Sequence, residues 1–189
     1  MSHHAIVNRR AFVGGLVFLG CGGAGRGEAS SAGNTDEKKV HKEIIVGAPA
    51  HDAFFAFATS EGVKTFFAPE GKVEPRVGGA FEIYFAPDAP LGLKGSEGCK
   101  ILELAVDERL TFSWNFPPSL PAIRKEHTRV SVTFFKISDK QTRVLLDQTE
   151  FQDGADWEKG RQYFEHSWTV VLKRLQKRFE SGPVDWSKE

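Results

Sequence analysis

"DWEKGRQYFEHSWTVVLKRLQKRF", Asp156 to Phe179, is the stretch on which the fold turns. Trp157, Phe164, Trp168, Val171, Leu172, Leu175 and Phe179 recur at helical spacing, which gives a helix with one apolar stripe. Lys173, Arg174, Lys177 and Arg178 crowd the last turns, where cations complement the helix dipole. Gly182 and Pro183 stop it. A helix of about 24 residues is roughly 36 Å long at 1.5 Å per residue. Every other helical stretch in the chain is much shorter. An aromatic stripe of that length must be buried against something, and a run of strands precedes it.

Those strands alternate with period two. In "RLTFSWNF", Arg109 to Phe116, Leu110, Phe112, Trp114 and Phe116 share one face, and Thr111, Ser113 and Asn115 share the other. "GSEGCKILELAV" (95–106) reads as a long strand, with Asp107-Glu108 as a tight turn before "RLTFSWNF". "HTRVSVTFFKI" (127–137) and "TRVLLDQTEF" (142–151) form a last hairpin around "SDKQ". Upstream, "EPRVGGAFEIYF" (74–85) places Gly78-Gly79 as a turn between a short strand "KVEPRV" and the strand "AFEIYFA". The Pro-rich segments "APDAPLG" and "PPSLPAIRKE" are loops. Patterning of this kind argues for antiparallel strands with one wet face.

The domain opens with a strand, "VHKEIIV" (40–46), closed by Gly47 and Pro49. Two short helices follow, one over Pro49 to Ala58 and one from Thr59 or Ser60 to Phe66, with Ser60 as the expected cap. The element order is strand, two short helices, about six antiparallel strands, one long helix. The class is α+β: a curved antiparallel sheet of about 6–7 strands wrapped around the C-terminal helix. A sheet bent around a helix leaves space between them, so a cavity is expected.

The chain has 189 residues with 25 basic and 25 acidic side chains, a balance that gives no electrostatic argument for nucleic acid. Sixteen phenylalanines against one methionine suit a large apolar interior or an aromatic-lined pocket. None of the six histidines beyond the leading His3-His4 pair has metal-ligand spacing with Cys, Asp or another His, so no metal or other cofactor is expected. The chain lacks a phosphate-cradling glycine loop and a "GxSxG" elbow.

The N-terminus reads as an address. Arg9 and Arg10 precede a short apolar run, and the first acid is Glu28, the layout of a secretory signal over residues 1–21. "NRRAFV" resembles the twin-arginine export motif of bacteria, and "FLGC" resembles a lipobox with Cys21 as the lipidated residue. Residues 22–39 are Gly, Ala, Ser and charge, a flexible linker. The folded domain spans 40–182 and 183–189 is a tail. The expected location is periplasmic or lipid-anchored, the alternative an uncleaved cytoplasmic chain. Any membrane contact would run through that anchor. Cys99, left without a partner in its chain, is expected to be a buried small apolar residue.

The order of these elements over residues 40–180 resembles the helix-grip fold of the START-like, or SRPBCC, superfamily, typified by birch-pollen-allergen-like proteins. It is most similar to the AHSA branch, named for activators of a heat-shock chaperone's ATPase. "APAHDAFFAFATSEGVKTFFAP", "EPRVGGAFEIYF", "GCKILELAVDERLTFSW" and "YFEHSWTVVLKRL" carry the resemblance. The branch often has a His and a Gly near the end of the last strand. This chain has Gln148 and Glu150 there, so no role of that histidine is carried over.

The resemblance implies a cavity for a small hydrophobic or amphipathic, lipid-like ligand, but no single chemistry. Candidate ligand-binding residues are Phe81, Ile83, Tyr84, Phe85, Phe112, Trp114, Tyr163, His166 and Trp168. Non-catalytic binding is the leading expectation. A cavity-based enzyme of the cyclase or hydrolase type is the first alternative. It would use Tyr84, His166 or one of the strand carboxylates Glu82, Glu97, Glu103, Asp147 and Glu150 as acid or base. A protein-interaction module of the chaperone-regulator kind is the second.

Overall fold

A computed structural model of the chain describes residues 38–188. The expected export signal, Cys21 and nearly all of the expected linker lie outside the described residues. The elements run β1 (Val40–Val46), α1 (Ala50–Ala58), α2 (Ser60–Lys64), β2 (Glu70–Val73), β3 (Phe81–Tyr84), β4 (Ile101–Ala105), β5 (Arg109–Asn115), β6 (His127–Ser138), β7 (Gln141–Thr149) and α3 (Ala155–Ser181). A short 3₁₀ turn at Trp186–Lys188 ends the described chain. The fold is α+β and helix-grip in form, as expected. At 27 residues α3 is longer than its apolar stripe alone marks out.

β1, β7, β6, β5 and β4 form one antiparallel sheet in that order, and β2 pairs with β3. The first strand therefore lies beside the last, Val40 opposite Gln148 and Val46 opposite Thr142. The continuous sheet expected from the sequence is broken between β3 and β4, where only the bridges Ala80–Lys100 and Tyr84–Gly95 join them. The Phe81 N–H donates to the Cys99 carbonyl and the Ile101 N–H to the Gly79 carbonyl, both at 2.9 Å. On its other side β4 pairs with β5, with a register shift between Ile101 and Glu103 that adds twist. "GSEGCKILELAV" is a strand only from Ile101 onward, since residues 95–100 meet the β3 side through isolated bridges and turns.

The turn around Gly78-Gly79 is wider than a two-residue hairpin. β2 ends at Val73, which pairs with Phe81, so residues 74–80 make the connection. Pro75 has no N–H to extend the strand. Gly78 has φ of +78°, where glycine is at ease. Gly79 meets a different demand: a Cβ there would stand 2.3 Å from the Glu74 carbonyl oxygen.

Helix α2 is capped by Thr59 rather than Ser60: Thr59 Oγ1 accepts from the Gly62 N–H at 3.0 Å. Ser60 instead ties α2 to the sheet, its Oγ accepting from the Val73 N–H at 2.9 Å. The tail is docked as well. The Val184 N–H donates to the Thr65 carbonyl at 2.9 Å and the Trp186 indole to the Lys64 carbonyl at 2.5 Å.

The inner faces of β5, β6 and β7 bury Leu110, Phe112, Trp114, Val130, Val132, Phe134, Val144 and Leu146. Helix α3 answers with Trp157, Phe164, Trp168, Val171, Leu172 and Leu175. Phe179, the last residue of the predicted stripe, is only partly buried. The outer face of β5 is not uniformly wet. Thr111 is fully buried, because its hydroxyl donates to Glu103 and meets Ser131 at 3.1 Å. Cys99 is a buried free thiol whose burial pushes its pKa to about 12, so it behaves as a small apolar residue.

One polar chain crosses this core. The Trp168 indole N–H donates to Gln148 Oε1 at 2.6 Å, Gln148 Nε2 donates to Thr128 Oγ1 at 2.8 Å, and Thr128 Oγ1 donates to the Trp114 carbonyl at 3.0 Å. Gln148 and Thr128 are buried, and the chain leaves none of their polar side-chain atoms unpaired. Buried amides and hydroxyls survive only when bonded in this way.

Gly160 sets how closely α3 approaches β5. A Cβ at that position would stand 2.3 Å from Phe116 Cε1. Phe116 is itself held between Trp157 at 4.9 Å and Phe164 at 5.5 Å between ring centroids, so it has little room to move. Gly160→Ala is expected to lower stability by about 1–3 kcal/mol, despite alanine's better helix propensity. Urea unfolding checks this, and an unchanged or raised midpoint would show that the helix does not bear on Phe116 as described.

Candidate functional site

A half-open cavity of about 250 Å³ lies where the end of β5 faces α3. Its back wall is a cluster of three rings. The Trp114 and Trp168 centroids are 5.3 Å apart, and Phe67 lies 5.7 Å from Trp114 and 5.8 Å from Trp168. Phe85 meets Trp114 edge-on at 6.4 Å. Leu93, Phe116, Phe164 and Val171 complete the apolar lining. Lys94, Asn115, Arg124, Tyr163 and Ser167 bring polar atoms to it.

Two loops form the rim, 86–98 and 117–126, and a part-buried ion pair holds them together. Arg124 and Glu97 face each other at 3.3 Å with side chains 12% and 14% exposed. The Arg124 guanidinium also donates to the carbonyls of Gly92 at 2.9 Å, Gly95 at 2.6 Å, and Phe116. Glu97 accepts from the backbone N–H groups of Gly92 at 2.6 Å, Lys94 at 3.2 Å and Gly95 at 3.0 Å. Gly95 permits a close crossing here, since a Cβ on it would stand 1.8 Å from the Ile83 carbonyl oxygen.

The sequence-predicted residues divide into three groups. Phe85, Trp114, Tyr163 and Trp168 line the cavity. Phe81, Ile83 and Phe112 do not: they are fully buried, with Phe81 stacked on Phe112 at 3.9 Å, and so fill the space a ligand would need. Tyr84 and His166 also lie off the cavity. Tyr84 is on the opposite face of β3, its hydroxyl donating to Glu82 at 2.5 Å. Burial, and then that bond to a carboxylate, raise its pKa to about 12. His166 is exposed on the outer side of α3, two residues from the buried Trp168.

The strand carboxylates are likewise committed elsewhere. Glu82 accepts from the Gly98 N–H at 2.8 Å, and Asp147 pairs with His41 at 2.7 Å. Glu103 faces Arg109 at 3.7 Å and Arg129 at 3.8 Å. Glu150 follows β7 with φ of +68° and is exposed. Among the described residues, no group of three or more His, Cys, Asp and Glu side chains is placed to hold a metal ion.

Sequence reasoning missed Phe67, Leu93, Lys94, Asn115, Arg124 and Ser167. Four of them, Phe67, Leu93, Lys94 and Arg124, sit on irregular segments, where residue spacing carries no directional signal. Phe164 and Val171 were legible as stripe residues, but not as the part of the stripe that faces open space. A second cavity of about 390 Å³ lies between α1 and the β4–β5 turn. Its walls are mostly charged or polar, and its His51–Asp107 pair at 2.9 Å is exposed and screened.

Glu97 gives the rim a pH dependence. Burial works to raise its pKa, but the N–H groups of Gly95, Lys94 and Gly92 outweigh that and hold it below the usual carboxylate value. A depressed folded-state pKa contributes stability that is present above the unfolded value, roughly 4.3, and lost as pH falls through the folded value. Glu97→Gln removes this contribution. The wild-type chain should melt at a higher temperature than E97Q at pH 7, and the gap should close as pH falls below about 4. Thermal melts from pH 7 to pH 3 test this, and a gap independent of pH would overturn it.

The family model described as Activator of Hsp90 ATPase homolog 1-like protein matches residues 47–180. The chain belongs to that family. No curated protein matches the sequence. Solved structures share the fold at low identity. Protein MLL2253 from Mesorhizobium loti aligns with TM-score 0.62 and 18% identity, over 77% of this chain and 99% of that one. The Aha1 dimer from Colwellia psychrerythraea aligns with TM-score 0.57 and 18% identity, over 76% and 97%. CalU16 from Micromonospora echinospora aligns with TM-score 0.56 and 19% identity, over 78% and 76%.

Proposed function

We propose that this member of the Activator of Hsp90 ATPase homolog 1-like family binds a small hydrophobic or amphipathic molecule in the cavity between β5 and α3, and does not transform it. The observation that carries the reading is the ring cluster of Trp114, Trp168 and Phe67 at the back of a cavity that remains open. An apolar, concave site with a few polar groups is what small-ligand recognition requires. At about 250 Å³ the space falls just short of the ~300–1,000 Å³ range of drug-sized sites, so the ligand is compact. The acid or base candidates read from the sequence, Tyr84, His166 and the strand carboxylates, are not among the residues that line the cavity.

The arginine pair and the "FLGC" segment support export of this domain, with Cys21 as the lipid attachment point. A ligand-binding domain outside the cytoplasmic membrane, on a linker of Gly, Ala and Ser, then follows. Intact-mass measurement on the protein from its own host should find a chain starting at a lipid-modified Cys21. A chain starting at Met1 would refute export.

Native mass spectrometry of the same protein is expected to show a co-purifying small molecule. Ser167→Trp provides the control. Ser167 lines the cavity and its hydroxyl bonds only to the Tyr163 carbonyl one turn back, so an indole there fills the space at little structural cost. S167W should keep the melting temperature within a few degrees and lose the bound molecule. Retention of that molecule in S167W would place binding outside this cavity.

A further inference from the structure

Among the polar side chains that line the cavity, Asn115, Arg124 and Ser167 are bonded to the protein, whereas three donors have no partner among the described residues. Trp114 is only 5% exposed, yet its indole N–H makes no hydrogen bond among the described residues. No buried side-chain nitrogen or oxygen lacks a partner, so this N–H reaches open space, and the cavity is the open space that Trp114 lines. Tyr163 also lines the cavity, and its hydroxyl has no partner among the described residues. Lys94 lines the rim, and its ammonium group makes no hydrogen bond or ion pair among the described residues.

The charges around the cavity are one-sided. No Asp or Glu is among its lining residues. The other lining cation, Arg124, is matched by Glu97 and donates to three rim carbonyls. Among the described residues, Lys94 is therefore the one unneutralised charge in the lining. An apolar floor and three donors without partners among the described residues, one of them the Lys94 cation, form a site for an apolar body with an anionic head. A cationic amphipath would meet like charge and donors with nothing to donate to.

We propose that the ligand is a compact aromatic or alkyl anion, such as a carboxylate. Its body lies against Trp168 and Phe67, and its head accepts from Lys94, the Trp114 indole N–H and the Tyr163 hydroxyl. This rests on the cavity-binding reading above. Lys94 supplies the charge at the rim, and Trp114 and Tyr163 orient the head. Charge-assisted bonds of this kind are the strong ones, and at a half-open rim their loss is worth on the order of tenfold in affinity.

Three probes of matched shape test the assignment: 2-naphthoate, 2-naphthalenemethanol and 2-naphthylmethylammonium. Each is titrated calorimetrically into the wild-type chain, Lys94→Gln, Lys94→Arg and Tyr163→Phe. Naphthoate should bind about tenfold tighter than the alcohol, with the ammonium weakest, and only naphthoate should weaken as salt is raised. K94Q should bring naphthoate to within about twofold of the alcohol, K94R should restore the preference, and Y163F should weaken naphthoate alone. Circular dichroism confirms that each variant folds, and the Lys94 backbone bonds do not depend on its side chain. Equal affinities for all three probes, unchanged in K94Q, would overturn the anion assignment and leave cavity binding standing. Tightest binding of the ammonium would do the same. If no probe binds at all, the cavity-binding reading fails and the anion assignment with it.

Discussion

Trp168 is where helix and sheet are fastened, and most of the structure follows from how it is held. Its ring lies in the aromatic cluster with Trp114 and Phe67, while its N–H is spent on the buried amide of Gln148. The same amide reaches Thr128, and Thr128 reaches the backbone of Trp114. One side chain thus fixes the rotation of α3 about its axis against β5, β6 and β7. Apolar packing alone tolerates a range of rotations at similar energy, whereas a buried amide with two obligatory partners does not.

The cavity is a consequence of that fastening. Near the N-terminus of α3, Gly160 lets Phe116, just past the end of β5, press onto the helix backbone. Further along, the rings of Trp168, Trp114 and Phe67 fill the space between helix and sheet. The cavity beside them is bordered by the loops that Arg124 and Glu97 tie together. An ion pair so little exposed costs desolvation, and here the carbonyls and N–H groups of the rim offset it. The rim is therefore fixed by polar bonds and the floor by ring packing. This division leaves the Trp114 N–H, the Tyr163 hydroxyl and Lys94 without partners among the described residues.

Much of this was legible in the chain. The spacing of Trp157, Phe164, Trp168, Val171, Leu172 and Leu175 marks the buried face of α3, and the alternation of Leu110, Phe112, Trp114 and Phe116 marks the inner face of β5. Half of the candidate site was not legible, for a geometric reason. Period-two patterning says which face of a strand a residue occupies, not how far along the strand the core gives way to open space. Phe112 and Trp114 share a face two residues apart, yet Phe112 is packed under Phe81 and Trp114 opens on the cavity. Tyr84 followed the rule too: beside Ile83 on the strand, it had to face the other way.

By itself the sequence determined the element order, the buried faces and the long helix that the sheet must grip, because each is a local periodicity repeated over many residues. Local steric rules also explain the glycines at 78 and 79 and the capping hydroxyl beside α2. The tertiary structure alone decided where the sheet breaks, which loops meet at the rim and which polar atoms remain without partners. These depend on contacts between residues far apart in the chain: Gln148 with Trp168 and Thr128, and Arg124 with Glu97. No spacing along one segment encodes a meeting between two.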